Sequence, residues 1–150
     1  MNIGILETIP VLRHHLVAEQ KKNQAHNQLF IEKARIGKNY DLIVSDQSYL
    51  PESIPYHTDL IFIPGHARFG SVPENLLLIT GGMNQEDTVT FSSIREESAM
   101  LCLQKEIFYG KKIILPFESP VLFDRNYGLY HNLATGFLFA LADLVFGEEI

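Results

Sequence analysis

Cysteine is almost absent from the sequence: Cys102 is the only one among 150 residues. A single cysteine cannot form a disulfide within the chain, and there is no second thiolate for a cysteine-based metal site. This usage is typical of a reducing compartment, so the sequence predicts a cytoplasmic protein. The six histidines show no H-E-x-x-H or H-x-H spacing either, and we predict no metal site. We interpret them as dispersed surface residues, except for His131, which we interpret as a core or interface side chain of the apolar C-terminal helix.

Positive charge is also scarce, with 12 Lys and Arg residues against 18 Asp and Glu and a net charge of -6. No basic cluster exceeds a pair such as Lys21-Lys22, whereas nucleic-acid-binding proteins neutralise several phosphates. The sequence therefore predicts binding to neither nucleic acid nor an anionic membrane surface. A membrane span is not expected, because the most apolar segment, residues 133–146, is shorter than the roughly 20 residues required and contains Asp143.

Four short apolar runs, each followed by a polar residue or glycine, are the main structural signal: residues 2–6, 41–44, 59–63 and 75–79. Runs that are apolar throughout, and not alternating, are typical of strands buried on both faces of a parallel sheet. Helical stretches lie between some of them, and no linker or internal repeat is visible. We therefore predict one α/β domain over residues 1–150. Its predicted core is a mostly parallel open sheet of five or six strands with helices on both faces, Rossmann-like or flavodoxin-like.

Three helices are predicted from capping signals and apolar patterning. Thr8 can cap the first, with Pro10 in its first turn. The sequence Ser93-Ile94-Arg95-Glu96 has the S-x-x-E form of a capping box and predicts a helix over residues 94–108. The last helix, residues 127–146, is apolar on nearly all sides and needs cover on more than one side. We expect a second subunit to supply part of that cover, which predicts a homo-oligomer formed through this helix.

Polar residues just past the predicted strands form the candidate site. If the strands are parallel, the side chains of Glu7, Asp46 and His66 collect along one edge, where ligands bind to open sheets. His66 with Asp46 or Glu118 could act as a general acid or base. The alternative is that each of these residues only caps a helix or closes a turn.

Anion binding is the most specific chemistry that the sequence suggests. Its candidate ligand-binding residues follow strands or flank the predicted helix over residues 94–108: Glu7, Thr8, Gly81, Gly82, Thr88, Thr90, Ser92 and Ser93. Free N–H groups at a helix N-terminus bind phosphate or carboxylate groups, and glycine lets the backbone approach a phosphate closely. A tight turn at Gly81-Gly82 and ordinary strand or capping roles for the threonines and serines are the alternatives.

The segment 78–94, with the sequence LITGGMNQEDTVTFSSI, is followed by Leu103-Gln104 and the turn Pro-Phe-Glu-Ser-Pro. Together these resemble a part of small uncharacterised bacterial α/β proteins, some of which are described as similar to Mur ligase fragments. The resemblance covers about a quarter of the chain, within residues 78–120. It implies a bacterial origin and a recurring use for residues 88–94, but it transfers no catalytic residue. The ATP-binding loop of a Mur ligase is absent from the sequence, so ligase activity is not inferred.

Three functional hypotheses follow. The first is a small cytoplasmic α/β module that binds a small anionic ligand or a protein partner. The second is a hydrolase or transferase that uses His66 with Asp46 or Glu118 on a small substrate. The third is a structural subunit that docks through its C-terminal helix. The identity of the ligand and of any cofactor stays open.

Overall fold

The computed structural model describes residues 1–22, 28–50, 57–69 and 76–146. Two helices occur in these residues, α1 (Val11–Lys22) and α2 (Leu129–Phe146). The strands of these residues are β1 (Asn2–Leu6), β2 (Phe30–Lys33), β3 (Leu42–Ser45), β4 (Tyr49–Leu50), β5 (Leu60–Pro64), β6 (Arg68–Phe69), β7 (Leu77–Gly81), β8 (Val89–Ile94), β9 (Ser98–Leu103), β10 (Ile107–Tyr109), β11 (Lys112–Ile114) and β12 (Phe117–Leu122).

Eight of the strands form one mixed sheet in the order β12-β9-β8-β7-β5-β3-β1-β2. The strands from β2 to β8 run parallel, and β9 and β12 each run antiparallel to the neighbour that precedes them in the chain. Strands make up 40% and helices 23% of the described residues. The predicted fold class is therefore wrong: the protein is mostly β, and a Rossmann-like or flavodoxin-like arrangement is not supported.

The largest local error lies at the predicted helix over residues 94–108, where the structure instead has the end of β8, all of β9, which forms a hairpin with β8, and the start of β10. Alternate residues of both strands, such as Phe91 and Leu101, are buried in the core, which is the period-two pattern of a half-buried sheet. The Arg95 N–H donates to the Ser98 carbonyl at 2.8 Å and closes the turn. Cross-strand burial of the alternating apolar residues therefore outweighs the local capping-box signal, and Ser93 stands in a strand.

Both helices pack against the same face of the sheet. The main apolar core contains Leu12 and Leu16 of α1, much of α2, and the inward residues of the sheet strands. A smaller cluster of Tyr40, Ile43, Ile61 and Ile63 lies on the other face, packed against strand and loop residues, and neither of the two described helices contributes to it. This second cluster explains why β3 and β5 are apolar on both sides although both described helices lie on the same side. Neither described helix has the length and apolarity needed to cross a membrane.

The apolar character of α2 is largely satisfied within the chain. Residues 132–138 are all buried, and the Phe62 ring of β5 stacks between Tyr130 and Phe137 with centroids 5.6 and 5.1 Å away. Gly81 makes room for this ring, because a Cβ there would lie 2.6 Å from Phe62 Cζ. The helix predicted over residues 127–146 is thus confirmed, but its composition no longer requires a second subunit. The homo-oligomer stays a prediction.

Candidate functional site

The parallel strands bring the predicted strand-end residues to one edge of the sheet. Glu7 follows β1, Asp46 follows β3, His66 follows β5 and Gly82 follows β7, and these four strands are parallel neighbours in register. The placement of the edge was therefore predictable from the apolar runs. What each residue does there differs from the prediction.

Glu7 caps helix α1. Its Oε2 accepts a hydrogen bond from the Leu12 N–H at 2.8 Å, and its Oε1 accepts one from the Arg13 N–H at 3.0 Å. The carboxylate thus satisfies free helix N–H groups and interacts favourably with the helix dipole. Glu7 supplies the cap assigned to Thr8 from the sequence, and an internal carboxylate already fills the place where an anionic ligand would bind.

A second internal carboxylate explains the glycines after β7. Asp87 is buried, and its Oδ2 accepts a hydrogen bond from the Asn84 N–H at 3.0 Å. A Cβ on Gly82 would lie 2.3 Å from Asp87 Oδ2, and a Cβ on Gly65 would lie 2.1 Å from Asp87 Oδ1. Gly82 therefore lets the backbone approach the Asp87 side chain, which favours the tight-turn interpretation of Gly81-Gly82 over a phosphate loop.

The other predicted anion-binding residues lie in or beside β8. Thr88 pairs with Thr80, each hydroxyl accepting a hydrogen bond from the other residue's N–H, at 3.0 and 3.2 Å. The Thr90 hydroxyl donates to Met83 Sδ at 3.7 Å, and Ser92 and Ser93 are exposed at the end of the strand. Because a strand and not a helix follows Ser93, the helix N-terminus that was expected to hold the anion does not exist there.

The predicted catalytic residues do not all come together. Glu118 lies in β12 opposite Cys102 of β9, four strands from β5, a separation of roughly 19 Å from the His66 end at normal strand spacing. His66 is exposed in the turn after β5. Asp46 instead pairs with His131, with 3.6 Å between Asp46 Oδ2 and His131 Nε2. The sequence indicates only a core or interface role for His131 and not this pairing, because His131 is 85 residues from Asp46 in the chain and belongs to the apolar C-terminal helix.

An open cleft of about 590 Å³ surrounds this pair. Its walls are residues 8, 9 and 11 after β1, residues 46–49 after β3, and His131; we call it the Asp46–His131 cleft. The chain that leaves β1 returns as β2 on one side, whereas the chain that leaves β3 continues to β5 on the other side. The cleft thus lies at a switch point of the sheet topology, where ligands bind to open parallel sheets.

Tyr130 attaches the start of α2 to this edge. Its hydroxyl donates a hydrogen bond to the carbonyl oxygen of Ser45 at the end of β3 and lies 3.3 Å from the carbonyl oxygen of Phe62 in β5. Burial, with a smaller contribution from the charge of Asp46, raises the pKa of Tyr130 well above its ordinary value. The hydroxyl therefore stays protonated and holds His131 beside Asp46.

A smaller pocket of about 170 Å³ lies between α1, α2 and β12. His15 of α1 is buried in its wall, although we interpreted it from the sequence as a surface residue. Its ring stacks on Tyr127 with centroids 3.9 Å apart, and its Nδ1 lies 3.2 Å from Thr135 Oγ1. Burial is the main cause that lowers the pKa of His15 to about 4, so the imidazole is neutral at pH 7.

Glu19 and Asp124 share this pocket with His15. One ligand atom from each of the three side chains lies within 4.8 Å of those of the other two. His15 and Glu19 are four residues apart on one helix face, a spacing that could have been noticed in the sequence. Asp124 follows β12, 105 residues further along the chain, and no sequence pattern connects it to α1.

Comparisons with protein-family models, with curated proteins and with solved structures found no match. The resemblance of residues 78–120 to small bacterial α/β proteins therefore stays a prediction. The function has to be argued from the two pockets.

Proposed function

We propose that this protein binds a small, uncharged, hydroxyl-bearing ligand such as a saccharide in the Asp46–His131 cleft. The observation that carries the proposal is the Asp46–His131 pair, which faces an open cleft at the switch point between β1 and β3. The cleft volume of about 590 Å³ is in the usual range for small-molecule sites, roughly 300–1,000 Å³.

The chemistry of the walls favours hydroxyl groups over anions. The Asp46 carboxylate offers two acceptor oxygens, and Gln47 and Ser48 add neutral donors and acceptors. A negatively charged ligand would be repelled by Asp46, and the N–H groups at the start of α1 are already bonded to Glu7. We therefore propose an uncharged ligand in place of the anion expected from the sequence.

Apolar surface beside these polar groups suits a sugar ring. Ile9 is 67% exposed and Tyr49 is 61% exposed, and both line the cleft. A saccharide presents C–H groups on its ring face and hydroxyls at its edge, so it can cover an aromatic face while its hydroxyls bond to Asp46. Removing such exposed apolar area from water contributes roughly 25 cal/mol per Å².

Catalysis by the same pair is the second candidate function. Asp46 is placed to orient His131, and an imidazole held in this way can act as a general base in hydrolysis or group transfer. This replaces the predicted pairing of Asp46 with His66. Release of product from a bound saccharide conjugate would distinguish turnover from binding alone.

Isothermal titration with a panel of monosaccharides and the matching sugar phosphates tests the proposal. We expect an unphosphorylated sugar to bind, and Asp46→Asn and His131→Gln each to weaken that binding at least tenfold. Glu118→Gln is the matched control, because this exposed carboxylate lies on β12, far from the cleft. Failure of every unphosphorylated sugar to bind, tighter binding of the phosphates, or unchanged affinity in Asp46→Asn contradicts the proposal.

We also propose the cytoplasm as the compartment of this protein. Cys102 has no disulfide partner and lies partly buried in β9. Burial is the main cause that raises the pKa of its thiol, and the charge of Glu118 adds to it. A thiol of this kind is unreactive and suits a reducing environment. Unchanged stability with and without a thiol reductant is the expected result.

A further inference from the structure

We propose that His15, Glu19 and Asp124 bind a divalent first-row transition-metal ion, Zn²⁺ or Mn²⁺, in the pocket between α1, α2 and β12. This site is separate from the Asp46–His131 cleft and does not depend on the function proposed for that cleft. Three features support this site: the spacing of the three side chains, the groups that orient them, and the net negative charge of the pocket.

The spacing is close to that of a metal site. The three ligand atoms lie within 4.8 Å of one another. At metal–ligand bonds near 2.0–2.2 Å, two ligands of a tetrahedral ion are roughly 3.4 Å apart. Side-chain rotations that move the atoms by about 1 Å therefore bring all three onto one ion without a change in the backbone.

His15 is held as metal-binding histidines usually are. His15 Nδ1 lies 3.2 Å from the Thr135 hydroxyl oxygen. In the tautomer in which Nδ1–H donates to that oxygen, the lone pair of His15 is on Nε2 and is available to an ion. Stacking on Tyr127, with the rings only 6° from parallel, fixes the plane of the imidazole. A hydrogen bond from the second ring nitrogen orients the ligand and raises its basicity in metalloproteins.

Asp124 is also fixed by its neighbours. Its N–H donates to Asn132 Oδ1 at 2.8 Å, and Asn132 Nδ2 donates to the Asp124 carbonyl at 2.9 Å, so the loop is anchored to α2. One carboxylate oxygen, Oδ1, accepts the Asn126 N–H at 2.9 Å. The other oxygen, Oδ2, has no hydrogen-bond donor among the described residues and is available to an ion.

The charge around the pocket points to a cation. Glu19 is only 6% exposed, and Lys22 Nζ lies 3.5 Å from its Oε1 on a side chain that is 66% exposed. Asp124 adds a second negative charge within reach of Glu19. The single Lys22 ammonium beside Glu19 balances only one of the two negative charges, and holding two carboxylates together in a partly buried pocket costs free energy. A divalent ion between them would neutralise both.

The mixture of ligands selects the class of metal. One imidazole nitrogen and two carboxylate oxygens suit Zn²⁺ and Mn²⁺, whereas Ca²⁺ and Mg²⁺ prefer oxygen ligands alone. The pocket volume of about 170 Å³ leaves space beside three protein ligands for water or a small ligand. Such an open coordination position is the arrangement of catalytic metal sites and not of structural ones.

Titration of the chelator-treated full-length protein tests the site. We expect Zn²⁺ or Mn²⁺ to bind with one ion per chain and to raise the melting temperature. In ¹⁵N NMR spectra, diamagnetic Zn²⁺ should shift the imidazole resonances of His15, and paramagnetic Mn²⁺ should broaden them. His15→Gln and Glu19→Gln should each weaken binding at least tenfold, and Asp124→Asn, which keeps an acceptor for the Asn126 N–H, should do the same. His14→Gln is the matched control, because His14 is exposed on the same helix.

Three results would overturn the assignment. One is the absence of Zn²⁺ and Mn²⁺ binding. Another is unchanged metal affinity in the His15→Gln and Glu19→Gln variants when circular dichroism shows that both variants are folded. The ion would then be held by exposed histidines and not by this pocket. The third is binding of Ca²⁺ or Mg²⁺ as tight as that of Zn²⁺ and Mn²⁺, which contradicts the mixed nitrogen and oxygen ligand set.

Discussion

Burial of the His15 imidazole makes the stability of this fold depend on pH in one direction. Burial lowers the pKa of His15 from 6.5 to about 4; of its charged neighbours, Asp124 opposes this effect and His131 and Lys22 add to it. Between these two pH values the unfolded chain binds a proton that the folded protein excludes. The free energy of unfolding is therefore highest above about pH 6.5, where His15 is neutral in both states, and it decreases as the pH falls toward 4.

The size of the effect follows from the distance between the two pKa values. At about 1.4 kcal/mol for each pH unit that separates them, the free energy of unfolding falls by about 3 kcal/mol once both states are protonated. Most of this loss, about 2 kcal/mol, occurs between pH 8 and pH 5. Glu19 also lies beside the His15 ring, on the next turn of α1. The contribution of His15 therefore has to be measured by comparing the wild type with a variant that lacks only this imidazole.

Urea unfolding at pH 8 and pH 5, with a chelator present, measures this loss. We expect the wild-type protein to lose about 2 kcal/mol more than His15→Gln over that range. His14→Gln, a change at the exposed neighbour on α1, should behave like the wild type. Equal losses in the wild type and in His15→Gln would refute the reasoning, because the buried imidazole would then not be excluding a proton.

Three further changes test packing and hydrogen bonds by chemical denaturation. Glu7→Ala removes the cap of α1 and should cost about 1 kcal/mol; no loss would mean that water replaces the carboxylate. Gly81→Ala places a Cβ 2.6 Å from the Phe62 ring and should cost about 1–3 kcal/mol, whereas a neutral result would show that the ring can move. Tyr130→Phe removes the hydrogen bond to Ser45 and should cost about 1 kcal/mol, with weaker ligand binding in the Asp46–His131 cleft as a second readout.

The parallel part of the sheet was predictable because its strands are apolar on both faces. β3 and β5 lie between two apolar clusters, and a strand in that position has to be apolar at every residue. The two helices were predictable from their apolar composition and patterning, although Glu7 and not Thr8 caps α1. The edge where the polar strand ends meet follows directly from these elements.

The antiparallel half was not predictable from local signals. Ser93 and Glu96 fit a helix start, but burial of Ala99 and Leu101 against other strands determines the conformation. The pairing of β9 with β8 and with β12 depends on contacts that form only when the sheet is assembled, and a local sequence window does not contain them. Glu118 was misplaced for this reason, because its position depends on the pairing of β12 with β9.

Partners in both pockets were hidden by distance along the chain. Asp46 meets His131 where α2 packs against the end of β3, and His15 meets Asp124 where the segment between β12 and α2 lies beside α1. Local patterning predicts the element on which each side chain lies. It does not predict which elements become neighbours, and both candidate sites depend on that.

The first two turns of α2 are shared by both pockets. His131 lines the cleft, and Thr135, four residues later and about 6 Å along the helix axis, holds the His15 ring. A ligand that binds in one pocket and immobilises this segment of α2 has already lost the conformational entropy of ordering it. A second ligand that binds in the other pocket then loses less entropy. By thermodynamic reciprocity, saccharide and metal would then each change the affinity of the other by the same factor.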